Sequence, residues 1–104
     1  MNKTIEDFKK TWEEQIAKIE KTLIDSHGTY MIYLNFRINR GRLKLTGEES
    51  EEDWQELNNL ESKVRVALET SRSMFNLQNR SIWARFAENI AVMTYNKLPK
   101  QNFD

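Results

Sequence analysis

TYMIYLNFRINRGRLKLT, residues 29–46, is the stretch on which the fold turns. Tyr30, Ile32, Leu34, Phe36 and Ile38 alternate with Met31, Tyr33, Asn35 and Arg37. That is the period of a half-buried strand. Arg40-Gly41 supplies a glycine for a tight turn, and a two-residue loop there pairs Ile38 with Leu43 and Phe36 with Leu45. Every apolar partner then falls on one face, so pattern and turn agree on a β-hairpin with strands near 30–38 and 42–46. The competing reading is a helix from Met31 to Leu45, because Met, Leu and Arg are good helix formers.

The stretch also carries Arg37, Arg40, Arg42 and Lys44 and no acidic residue. Directly after it the charge reverses: Glu48, Glu49, Glu51, Glu52, Asp53 and Glu56 follow with no base among them. On a hairpin, Arg37 and Lys44 sit opposite each other, which costs stability unless an acid or anion relieves them. The basic cluster reads either as edge protection, as an internal partner of the acidic segment, or as a docking surface. Trp12, Trp54 and Trp83 read first as core, and Trp54, set among acids at a helix start, is the one placed to be half-exposed and to anchor an interface.

Outward from this stretch the chain reads as helix. Ile5, Phe8, Trp12, Ile16, Ile19 and Leu23 recur at steps of three and four, one apolar stripe. Thr4 is the expected N-cap, with Asp7 in the capping-box position. Ser26-His27-Gly28 is the expected stop, Gly28 taking the left-handed conformation. After Thr46-Gly47, Ser50 is a good N-cap. Trp54, Leu57, Leu60, Val64, Ala67, Leu68, Ser71 and Met74 or Phe75 give a second stripe.

Residues 76–81, NLQNRS, favour turns but contain no Gly or Pro. They are the expected break before a last helix over about 81–97, with a continuous helix as the alternative. Ile82, Trp83, Phe86, Ala87, Ile90, Ala91, Val92 and Met93 cover a wide arc of that helix. It is therefore expected to be central and most buried, with Phe86 and Ile90 in the core. Leu98-Pro99 should end it.

The expected fold is α+β: one helix, a two-stranded antiparallel hairpin, then two helices, the hairpin packed on the helical layer. The 104 residues make a single domain, 1–104, with a loose tail at about 100–104. Mean hydropathy is −0.77, low for a chain of this size, which leaves a homodimer open. Three Trp, five Phe and three Tyr argue against disorder.

Sixteen bases balance sixteen acids, so there is no general pull toward nucleic acid or anionic lipid. No window is apolar enough for a membrane span, and the charged N-terminus is no signal peptide. A cytoplasmic protein is expected. No cysteine is present, which excludes disulfides and thiolate chemistry. The single His27 lies beside Asp25 and Ser26, and three sequence neighbours seldom point at one centre. There is no phosphate loop, paired-histidine metal motif or nucleophile elbow.

These features point to a small non-enzymatic regulatory or inhibitory protein without cofactor. It would bind another macromolecule, a protein first, through the basic hairpin (Arg37, Arg40, Arg42, Lys44) and the adjacent Glu48, Glu49, Glu51, Glu52 and Trp54. The alternative is a nucleic-acid-binding module with the hairpin laid in a groove.

Overall fold

The computed structural model describes residues 2–97, with side chains to residue 91. Among these residues the chain is all helix: α1 Lys3–Glu20, α2 Ser26–Gly41 and α3 Glu51–Lys97. The expected α+β fold with a hairpin is therefore wrong. The 29–46 stretch forms most of α2.

The helix wins because its own period is present in the same residues. Ile32, Tyr33 and Phe36 stand at i, i+1 and i+4, and Arg40 follows four residues on. Phe36 is 0% exposed, and Ile32 and Tyr33 pack partly buried against the core. The ends of the alternating set, Tyr30 and Ile38, are exposed. Asp25 caps the helix, accepting a hydrogen bond from the Gly28 N–H at 2.7 Å. Gly41 does not turn the chain: among the described residues only Gly47 has positive φ, at 86°. The loop at Gly47 is closed by Glu49, whose carboxylate accepts from the N–H groups of Thr46 at 2.7 Å and Gly47 at 2.9 Å.

α1 follows the expected stripe, with Ile5, Phe8, Trp12, Ile16 and Ile19 all buried. Its boundaries differ. Asn2, not Thr4, is the N-cap, accepting from Thr4 N–H at 2.8 Å. The helix ends at Glu20, so Leu23 lies beyond it and is exposed. Gly28 belongs to the first turn of α2, where a Cβ would meet Ile24 Cγ2 at 2.6 Å.

α3 is one helix of 47 residues, and the expected break at 76–81 does not occur. Ser50 starts it as expected, accepting from Asp53 N–H at 3.1 Å. Only its first half is packed. Leu57, Leu60, Val64, Ala67 and Leu68 are buried against α1 and α2. The centre of the core is aromatic: Phe36 lies 5.5 Å from Phe8 and 5.0 Å, edge-on, from Trp12. Ser71 closes the far end of this core. Its hydroxyl accepts from Ile24 N–H at 3.0 Å and donates to the Thr22 carbonyl, tying the α1–α2 loop to α3.

Among the described residues α3 projects alone beyond this point, and the extents are 80 × 22 × 17 Å. The expectation that residues 81–97 form the most buried helix is wrong for every described side chain: 81–91 are all exposed. The expected stop at Leu98-Pro99 and the expected tail lie outside the described residues.

Candidate functional site

The residues expected to form a docking surface are set apart by the fold. Arg37 and Arg40, three residues apart on α2, both face α3. Arg37 Nη1 lies 2.9 Å from Glu61 Oε1 and Arg40 Nη1 3.2 Å from the same oxygen. Arg40 also donates to Asn58 Oδ1 at 3.0 Å. Partial burial pushes the Glu61 carboxyl up, but the Arg37 hydrogen bond and the charges of Arg37, Arg40 and Arg65 outweigh it and hold it below the usual carboxylate range. These two arginines are thus engaged internally, by Glu61 rather than by the acidic run after residue 47.

Arg42 caps the end of α2, and Arg42 and Lys44 are exposed. Glu48, Glu51 and Glu52 are exposed around the start of α3, while Glu49 is taken up by the Gly47 loop. Burial pushes the Glu49 carboxyl up, and the surrounding N–H and hydroxyl donors bring it below its ordinary value. Trp54 is half-buried against the core. Leu43, Leu45, Trp54 and Leu57 line a shallow cleft of ≈ 390 Å³ with Arg37 and Arg40. No basic ribbon results, so neither a protein nor a nucleic-acid groove is met by a hairpin.

The unsatisfied surface lies elsewhere, and it follows from the period of α3. Three turns of helix take about eleven residues. Stepping by eleven, Val64 leads to Phe75 and Phe86, Leu60 to Ser71 and Ile82, and Leu68 to Asn79 and Ile90. The face that α1 and α2 cover in the first half therefore continues uncovered along the second. Ile82 is 58% exposed, Phe86 54% and Ile90 45%. Trp83, 61% exposed, stands edge-on to Phe86 with ring centres 5.7 Å apart. Glu88 lies toward the opposite side of the helix, while Arg85, three residues from Ile82, flanks the row.

A second apolar feature lies lower on α3. The end of α1 and the middle of α3 enclose a groove of ≈ 680 Å³, lined chiefly by Ile16, Ile19, Leu23, Val66, Ala67 and Met74. Large apolar side chains left in water in a continuous row mark interaction surfaces in soluble proteins. The sequence contained the signal in the wide arc of Ile82, Trp83, Phe86 and Ile90. Its breadth means an uncovered helix here, not a central one.

His27 is exposed at the start of α2. Among the described residues no three His, Asp or Glu side chains converge as a metal site would require, and no helix is long and apolar enough to cross a membrane. Compared with known protein families, with curated proteins and with solved structures, the chain matches none.

Proposed function

We propose that this protein is a non-enzymatic docking module, in which α1, α2 and the first half of α3 form a small stable base and the second half of α3 is offered to another polypeptide. The observation that carries the reading is the row Ile82, Phe86 and Ile90 with Trp83 beside it, continuous with the core face and uncovered. Such a row matches helix-on-helix recognition, where anchors recur at i, i+4 and i+8 and aromatic residues carry most of the binding energy. The engagement of Glu61 with two arginines, of Glu49 with its loop and of Ser71 with the α1–α2 connection supports a non-enzymatic reading. It places the module in the cytoplasm, where a cysteine-free chain loses no stabilising disulfide.

Comparing wild type with an Ile82→Ser/Phe86→Ser variant tests this. Both are immobilised and exposed to cell extract or to a candidate partner. The variant should fold, because both side chains are exposed, yet it should retain no polypeptide that wild type retains. Equal retention by the two refutes the reading.

A further inference from the structure

We propose that the polypeptide taken up by α3 is acidic, its carboxylates entering a cleft between α2 and α3 at Arg65 and Arg72 while its apolar side chains lie on Trp83, Phe86 and Ile90; the inference rests on the docking reading above. The cleft, of ≈ 560 Å³, is lined by hydroxyl-bearing residues of α2, among them Tyr30 and Tyr33, and by Arg65, Glu69 and Arg72 of α3. It shares a side of α3 with the exposed row. Eighteen residues make five full turns at 3.6 residues per turn, so Arg65 stands on one line with Trp83, and Arg72 on one line with Ile90. Basic cleft and apolar row are therefore two parts of one continuous surface.

Charge decides what fits this surface. Elsewhere between α2 and α3 the arginines are satisfied, Arg37 and Arg40 sharing Glu61. Arg65 and Arg72 enter no ion pair among the described residues. The Arg65 guanidinium carbon lies 5.3 Å from the centre of the Tyr33 ring. That stacking uses the face of the guanidinium and leaves its N–H edge to donate to a carboxylate. Glu69 is the one acid among the lining residues, so positive charge is in excess there. The excess continues along the helix: over 62–91, Lys63, Arg65, Arg72, Arg80 and Arg85 stand against only Glu69 and Glu88. The chain as a whole has zero formal net charge, so the balancing acids lie outside this part of α3, and an anionic partner is steered toward it. The row then selects among anions, because Trp83, Phe86 and Ile90 offer nothing to a phosphate backbone. A bilayer is flat, and α2 rises on the same side of α3 and holds a plane off the cleft. A helix of about 10 Å diameter fits alongside.

The probe is a helical peptide of about 25 residues, long enough to span Arg65 to Ile90, with leucines at i, i+4 and i+8 toward one end and a cluster of glutamates toward the other, made in both chain orders. Fluorescence anisotropy should show micromolar binding, about tenfold tighter than that of the same peptide with glutamine for glutamate, and weakening as salt rises. Arg72→Glu should lower the affinity about tenfold. Arg42→Glu, the same charge change at the far end of α2, should leave it unchanged. Both arginines are exposed, so both variants should keep the wild-type circular dichroism. No binding, or equal binding of the glutamate and glutamine peptides, overturns the acidic partner, while the extract experiment still decides the docking reading. An equal loss in Arg42→Glu traces the effect to net charge and overturns the cleft. Phosphatidylserine vesicles or duplex DNA held more tightly than the peptide, and released by Arg72→Glu, overturn a polypeptide as occupant.

Discussion

Replacing Phe36 by alanine removes the one fully buried side chain that α2 contributes. The ring is 0% exposed and touches Phe8 and Trp12 at 5.5 and 5.0 Å. Truncating a buried Phe costs about 3–5 kcal/mol, and two aromatic pairs, each about 0.5–1.5 kcal/mol beyond burial, put this site near the upper end. With a urea slope of about 1.5 kcal/mol/M for a chain of this size, a loss of ~4 kcal/mol moves the midpoint by roughly 2.5 M. The same substitution at Phe86 has a different outcome. Phe86 is 54% exposed and its ring neighbour Trp83 is on the same helix. The pair lost is worth about 0.2–0.5 kcal/mol, and alanine's higher helix propensity returns a similar amount. Urea titrations followed by far-UV circular dichroism at about 1 μM, where mass action suppresses self-association, should separate the two. A midpoint for Phe36→Ala within ~0.5 M of wild type, or a Phe86→Ala shift as large as that of Phe36→Ala, refutes the helix order given above.

Ser71→Ala removes one hydroxyl and leaves the Ile24 N–H and the Thr22 carbonyl without their partner; a loss of about 1 kcal/mol is expected, read as roughly fivefold faster hydrogen exchange at the Ile24 amide. Glu61 carries a pH signature. Its carboxyl is held low in the folded state, so its contribution is present above the unfolded value of about 4.3 and is lost as pH falls through the folded pKa. Thermal melts should therefore show wild type losing stability between about pH 5 and 3 more steeply than Glu61→Gln, and superimposable pH profiles would sink the pairing.

The parts of the fold legible in the sequence are those where burial repeats with helical period over several turns. Ile5, Phe8, Trp12, Ile16 and Ile19 did so, as did Leu57, Leu60, Val64, Ala67 and Leu68. α2 is not legible in this way because it buries one side chain fully, and its stripe is cut short by Thr29 and Arg40. In the sequence, five alternating apolar residues outweigh three helical ones. Leu43 and Leu45, which completed the expected strand pairing, lie in the connection after α2 and pack against the core from there. The stretch 76–81 resembles a break because Asn and Ser favour caps. Each costs a helix interior only about half a kcal/mol relative to alanine, far less than Gly or Pro, and the helix runs through. Arg37 and Arg40 stand out as a cluster in the sequence, yet their partner Glu61 follows only from α2 lying along α3.

Among the described residues the 47-residue α3 is clamped at one end only, and this changes what governs its second half. An isolated helix must first fix three residues for one hydrogen bond, with a nucleation constant of about 10⁻³. Here α1 and α2 keep the first turns formed, so the second half meets only the elongation step. Its residues, among them Asn76, Asn79, Ser81 and Asn89, are mediocre at that step. How many turns persist beyond Ser71 at a given temperature then becomes an adjustable quantity, set one residue at a time. Alanine at Ser81, a position off the Ile82–Phe86–Ile90 face, lengthens the average helix without altering what it touches. Affinity at the distant row would follow, controlled by winding rather than by contact.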